Sequence, residues 1–398
     1  MPVPSAPVPS ARRARPHASG VVAVVAVLGL AAAACGSSGS AAKTSGSSAG
    51  DAGVHVVKLT ITDDGCTPNP ASAPSGPATF EITNTGSGAV TEAELMKGTK
   101  ILGEAEDVAP GLTGVFSLTL EPGTYTVNCP GGSGSGKGSL VVSGATATTQ
   151  VAEGATTAVA SYRAFLEDQT DRLVETTAPF VAAVQAGDMA KAKALYAEAR
   201  PYYETIEPVA ESFGDLDPLI DARAGDPLPA GAAWGGFHRI EKALWQDDTT
   251  AGMAPVAAEL LAHVTTLRDK VAKVSLEPAQ IANGAVDLLN EVSTSKITGE
   301  EERYSHLDLV DFRANVDGAE AAYRALKPML TTRQAALATE LTARFAAVDE
   351  ALGAYRSGTG QYDYVSYTKL TPADTRALSA AVDGLAEPLS KVSKAVVR

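Results

Sequence analysis

Histidine, cysteine and aromatic residues are scarce in this chain, at five histidines, three cysteines and 5% aromatics in 398 residues. So few rings leave no evident platform for stacking sugars. Basic residues fall short as well, at 32 against 46 acidic. That balance excludes nucleic acid as a partner, because phosphates demand a basic surface. It favours cations, and it also serves solubility. No His-Glu-x-x-His occurs, so the usual helical zinc-peptidase site lacks its second histidine. The apolar run from Val21 to Leu30 falls short of the roughly 20 residues that span a membrane.

That run is better read as part of a processing signal. Arg12, Arg13 and Arg15 precede it, and Ala31 to Ala34 lead into Cys35 and Gly36. A basic segment, an apolar segment and small residues before a cleavage point make a signal peptide. The cysteine at that point resembles a bacterial lipoprotein lipobox, with Ala32 in place of the usual Leu. Residues 1–35 are therefore expected to be a lipoprotein signal, with Cys35 lipidated. An ordinary secretory signal is the alternative. Residues 36–53, rich in Gly, Ser, Ala and Thr, form a flexible linker. Loss of the signal leaves 29 basic against 46 acidic residues.

Residues 54–144 alternate in the manner of β-strands at 54–62, 79–84, 114–120, 124–129 and 139–143, with Pro-Ser-Gly (74–76) and Glu-Pro-Gly (121–123) as punctuation. The order of strands and turns resembles a cupredoxin-like sandwich. A blue copper site needs two histidines and a cysteine, and only His55 is present here, so blue-copper electron transfer is excluded. Cys66 and Cys129 are open to two readings. Outside the cytoplasm a disulfide is the ordinary outcome; a mixed site of thiolates with Glu92 and Glu94, which share a strand face, is the other.

After a short linker (145–152), residues 153–398 read as an all-α bundle of some six to eight helices, rich in Ala, Leu, Glu, Lys and Arg with apolar residues three and four apart. The amphipathic stretches 254–274 and 335–355 are the clearest. Gly-Phe-His-Arg-Ile-Glu (236–241) puts His238 and Glu241 on one helix face, and imidazole with carboxylate suits a first-row metal ion. Acidic residues gather around this motif in the sequence. Glu204 and Glu207 are three apart, Asp221 follows, and Glu300, Glu301 and Glu302 are expected to open a later helix. Carboxylates and a histidine pointing into a bundle are how helical proteins build iron sites.

Long stretches carry a resemblance: Tyr203 to Asp217, Ile220 to Arg223, Gly236 to Trp245, Lys296 to His306 and Val365 to Asp374 are similar to the imelysin-like family. With a cupredoxin-like domain in front, the mature chain resembles the Efe-type iron-uptake lipoproteins. The resemblance implies a metal site at His238, Glu241, Glu204, Glu207, Asp221 and Glu301. It implies a second site in the β domain at Cys66, Glu92, Glu94 and Cys129. The expected role is non-enzymatic: a protein on the extracytoplasmic face of the cell membrane, periplasmic or cell-envelope, that captures iron as Fe2+ or Fe3+. Copper and zinc are kept as alternative ions. The expected partners are a membrane iron permease and a haem peroxidase. A metallopeptidase and a metal-dependent polysaccharide-binding lipoprotein are the other functions kept in view.

Overall fold

The structure, a computed structural model, describes residues 54–133, 137–145 and 153–397. Nine strands come first: β1 (His55–Thr62), β2 (Gly65–Asn69), β3 (Ser72–Pro74), β4 (Gly76–Asn84), β5 (Ala93–Lys97), β6 (Lys100–Ala105), β7 (Thr113–Leu120), β8 (Gly123–Asn128) and β9 (Lys137–Ser143). They make two sheets, ordered β2-β1-β4-β7 and β3-β9-β8-β5-β6. β1 shows why they form. Val57, Leu59 and Ile61 are buried while the residues between them are exposed, the period of two that one buried face imposes. Phe80 and Phe116 stack with centroids 4.7 Å apart in this core. The five expected runs correspond to β1, β4, β7, β8 and β9. The strands not foreseen are short or, in β2, interrupted by Pro68.

Twelve α-helices follow: α1 (Ala155–Gln185), α2 (Met189–Ala199), α3 (Pro201–Glu204), α4 (Glu207–Glu211), α5 (Asp217–Asp221), α6 (Gly236–Trp245), α7 (Met253–Val271), α8 (Pro278–Thr294), α9 (Asp308–Arg333), α10 (Ala335–Gly353), α11 (Pro372–Leu389) and α12 (Lys391–Val396). On α7, Ala257, Leu260, Val264, Leu267 and Val271 are buried at three- and four-residue spacing, the stripe of a half-buried helix. No helix among the described residues is long and apolar enough to cross a membrane.

Two departures from expectation shape the interior. The helix expected to open at Glu300 starts at Asp308 instead, and residues 300–307 form a turn. Gly299 (φ 80°) and His306 (φ 58°) bracket this turn in left-handed conformations, which a continuous helix does not tolerate. The segment holding Glu204 and Glu207 is broken between α3 and α4. Gly318 of α9 packs there; a Cβ on it would lie 2.4 Å from the Thr205 carbonyl oxygen.

The sandwich and the helices share an interface. Asn283 of α8 donates from Nδ2 to the Ser117 carbonyl at 2.9 Å and accepts from the Ser117 amide at 3.4 Å. Ser117 lies on edge strand β7, whose free amide groups would otherwise be buried unpaired.

Cys66 and Cys129 are joined in a disulfide that closes a separation of 63 residues. The intact mass without reductant is therefore expected to lie two hydrogens below that of the reduced protein. Replacing both cysteines by serine is expected to lower stability by about 4 kcal/mol, mainly through the unfolded chain's entropy, measured by urea unfolding of the β domain's signal.

Candidate metal centre

Gly236 sets the site. It opens α6 at φ 73°, and a Cβ there would fall 2.1 Å from the Ile220 carbonyl oxygen. Only glycine lets α6 lie this close to the end of α5, so His238 reaches Asp221. His238 is 1% exposed. Its Nδ1 lies 3.1 Å from Glu241 Oε2, and its Nε2 lies 3.1 Å from Glu301 Oε1 and 3.6 Å from Asp221 Oδ1. The other oxygen of Glu241 accepts from the Tyr304 and Ser305 amides, both at 2.8 Å. Glu241 is thus fully engaged in fixing the imidazole and the 300–307 turn. Asp221 and Glu301 share the Nε2 side.

All six helical-domain residues expected from sequence come together. Ligand atoms of Asp221, His238 and Glu301 lie within 4.8 Å of one another, as do those of Glu204, Glu207 and Asp221. Of the three consecutive glutamates, Glu301 and Glu302 are buried, and Glu300 points outward, its side chain 62% exposed.

Two buried cations were not foreseen. Arg200 donates from Nη2 to Glu301 Oε1 (2.7 Å) and from Nε to Asp311 Oδ2 (2.9 Å), and its Nη2 and Nε form ion pairs with Glu204 Oε1 (2.8 Å) and Glu302 Oε1 (2.6 Å). It also pairs with Asp221. Lys296 reaches Glu204, Glu207 and Glu291 at 2.7, 2.6 and 3.3 Å. Arg200 stands four residues before Glu204, a pairing distance on a helix, which was the one local signal available. Glu302 and Asp311 join through Arg200, distant in sequence, whereas Glu291 stands five residues before Lys296.

Eight carboxylates of the helical domain, at Glu204, Glu207, Asp221, Glu241, Glu301, Glu302, Asp308 and Asp311, are buried in the interior that holds Arg200, Lys296 and His238. Protons make up part of the difference. Burial, then Glu204, pushes Glu207 well above the usual carboxylate range. Burial, then Glu241, does the same to Glu302. Against burial, Lys296 and then the bond to His238 hold Glu301 well below it. Burial and Arg200 oppose the charged form of His238, but Asp221, Glu241 and Glu301 prevail and raise it from 6.5 to about 9. The metal-free imidazole therefore holds its proton at neutral pH, donating to Glu241 and Glu301.

The cluster faces a cavity of about 540 Å³ at the domain junction, lined by Asp221, Glu207, Glu301 and Glu291 on the helical side and by Glu92 and Glu106 on the β side. Its described lining holds nine carboxylates and one arginine, Arg223.

In the β domain Glu92, Glu94 and Glu104 bring carboxylate oxygens within 4.8 Å of one another. Burial, then Glu94, raises Glu92 to about 8. Cys66 and Cys129 drop out of this second site as thiolate ligands, because only a free thiolate binds metal and both sulfurs are bonded to each other. Cys129 instead follows Asn128, whose Nδ2 donates to Glu94 Oε2 at 2.7 Å. Glu104, which sequence reasoning missed, takes their place. Cys35 lies outside the described residues.

Groups with folded pKa values above their unfolded ones give stability that is full below the unfolded value and is lost as pH rises through the folded one. For His238 that window runs from 6.5 to about 9. Asp217 and Glu291, each raised to about 7 mainly by burial, act in the same direction at lower pH. The chelator-treated protein is expected to lose thermal stability steadily between pH 5 and pH 9. His238→Gln should remove the imidazole's share of the loss above pH 6.5, on the order of 3 kcal/mol, and leave that of Glu92, raised to about 8. A thermal midpoint for both proteins at each pH measures this, and equal slopes above pH 6.5 would refute it.

Comparison with known proteins gives two domain matches, to an imelysin model over residues 158–392 and to a cupredoxin-like domain over residues 23–142. The chain is 40% identical over 347 residues to the iron uptake system component EfeO of Escherichia coli (strain K12), covering 86% of this chain and 91% of that protein. The same figures hold for the proteins of that name from Shigella flexneri and Shigella sonnei (strain Ss046).

Proposed function

Because the chain belongs to the imelysin family, as an EfeO-type member with a cupredoxin-like domain in front, we propose that it is the extracytoplasmic iron-capturing component of an iron-uptake system. It binds iron at the cavity between its domains and delivers it to a membrane permease, with a haem peroxidase as a further partner. The observation that carries this reading is the acidic cavity backed by His238, Asp221 and Glu301.

Iron is the cargo here. Oxygen donors with one imidazole suit it better than copper(I). The Nε2 side of His238, flanked by Asp221 and Glu301, is the capture point, and Glu241 orients the ring from Nδ1 as an outer partner. Glu204 and Glu207 extend the carboxylate surface toward the cavity. A negative cavity also concentrates cations at its mouth. Capture releases the His238 proton, since imidazole must be neutral to coordinate. The donor set is one of binding rather than catalysis: a hydrolase needs a free general base beside a metal-bound water, and both oxygens of Glu241 are taken. Glu92, Glu94 and Glu104 offer a second, all-oxygen cation position.

Calorimetric titration of the metal-free mature protein with Fe2+, Fe3+ citrate, Cu2+ and Zn2+ tests the assignment. His238→Ala and Asp221→Asn are each expected to weaken iron binding by more than ~100-fold. Glu241→Gln should cost about 10-fold, the size of an outer-partner effect. Helical content should not change. Iron binding by His238→Ala as tight as the wild type's would defeat the assignment.

The same reading puts the protein on the cell membrane through lipid at Cys35. Cys35→Ala is expected to move it from the membrane to the soluble fraction on cell fractionation; a variant still held on membranes would contradict lipid anchoring.

A further inference from the structure

Lys296 is 1% exposed, in a single turn of 3-10 helix (Lys296–Thr298) beyond the end of α8. Its ammonium has three hydrogens, and three carboxylates surround it: Glu204, Glu207 and Glu291. Asn315 Nδ2 donates to the same two oxygens, Glu204 Oε2 and Glu207 Oε2, at 3.1 and 3.2 Å. Asn315 Oδ1 is buried with no hydrogen-bond partner among the described residues. The surroundings are those of a cation position built from oxygen donors, filled by a side chain.

Arg200 makes a useful contrast. Its planar fork is held by five carboxylates and lies 5.9 Å from the centre of the Phe237 ring. Leaving would break contacts on every side. Lys296 is a point charge on a flexible stem, and two of its partners, Glu207 and Glu291, also line the cavity.

We propose that Lys296 is an exchangeable internal counter-ion: its ammonium occupies the Glu204–Glu207 end of the cluster in the metal-free protein and gives way when a multivalent cation enters from the cavity. The inference rests on the iron-capture reading and adds to it a reason why the cargo can leave. Without Lys296, Glu204 would keep Arg200 alone and Glu207 would lose its cation partner, and a buried carboxylate short of positive charge is costly. With Lys296 in place the empty site is assembled and tolerable, and an incoming ion has to compete with it. When the ion departs, the ammonium returns and the cluster is neutralised again. No covalent bond within the protein forms or breaks; the ammonium's hydrogen bonds to Glu204 and Glu207 give way to carboxylate–cation contacts.

The test compares wild type, Lys296→Met and Lys296→Arg as full mature proteins, with anaerobic Fe2+ and with Fe3+ citrate as probes. Dissociation constant, rate of iron loss to a competing chelator, and thermal midpoint with and without metal are read for each. Lys296→Met is expected to bind iron ~10- to 100-fold more tightly, from the loss of a like charge a few ångströms away. It should release iron more slowly and gain a larger rise in midpoint on metal addition. Lys296→Arg, which keeps a cation there, should bind no more tightly than wild type. Should Lys296→Met not be recoverable metal-free, Lys296→Gln carries the same comparison. Equal affinity, release rate and metal-induced rise in variant and wild type would overturn the proposal and leave Lys296 a structural ion pair. If wild type takes no iron but Lys296→Met does, competition by Lys296 is upheld and the capture reading falls. If neither binds, both fall.

Discussion

Arg200 is enclosed by Glu204, Asp221, Glu301, Glu302 and Asp311, and the acidic cluster of the helical domain is arranged around it. Its partners come from α3, α5, the 300–307 turn and α9. A guanidinium is always charged and offers five donors in a fixed plane, so it sets where five carboxylates lie. Removing one partner of a buried ion pair typically costs 3–5 kcal/mol because the other charge is left uncompensated. Arg200 thereby holds two oxygens, on Asp221 and Glu301, next to His238 Nε2.

The same enclosure leaves the cluster short of positive charge. Eight buried carboxylates exceed what Arg200, Lys296 and His238 can neutralise. The balance is met by protons, on groups such as Glu207 and Glu302 that burial pushes up. A site that keeps its charge down with protons and a mobile ammonium can exchange either for a metal ion. A structural ion-pair network has no need of an acid-lined cavity at its edge, and here one opens between the two domains. The fold serves this opening: Gly236 brings α6 onto α5, Gly318 brings α9 against the broken α3–α4 segment, and Asn283 fastens the sandwich to α8.

Much of this was legible in the sequence, and what was hidden was hidden for physical reasons. The periods of two and of three-to-four read the sandwich and the bundle because each element buries one face. His238 and Glu241 stood out because ligands three apart share a helix face, and Glu204, Glu207, Asp221 and Glu301 came with the family resemblance. Arg200 and Lys296 look like ordinary basic residues at helix ends, favoured there by the helix dipole. Their burial is decided by partners 89 to 111 residues away in sequence for Glu207, Glu301 and Asp311, which no local pattern reports. Three glutamates in a row mimic a helix start for the same reason. The chain turns there because Glu301 and Glu302 are drawn inward to the cations while Glu300 stays in solvent. Glu104 escaped notice because it meets Glu92 and Glu94 only across the β5–β6 pairing, where it lies opposite Glu94.

The central claim is that iron is held on the Nε2 side of His238 by carboxylates that Arg200 positions. Diffraction from iron-loaded crystals at the iron absorption edge tests it most directly. The account predicts an anomalous peak at bonding distance from His238 Nε2 and from carboxylate oxygens of Asp221 and Glu301, with Glu241 still on Nδ1. A peak confined to Glu92, Glu94 and Glu104, or none near His238 in crystals that contain bound iron, would contradict it.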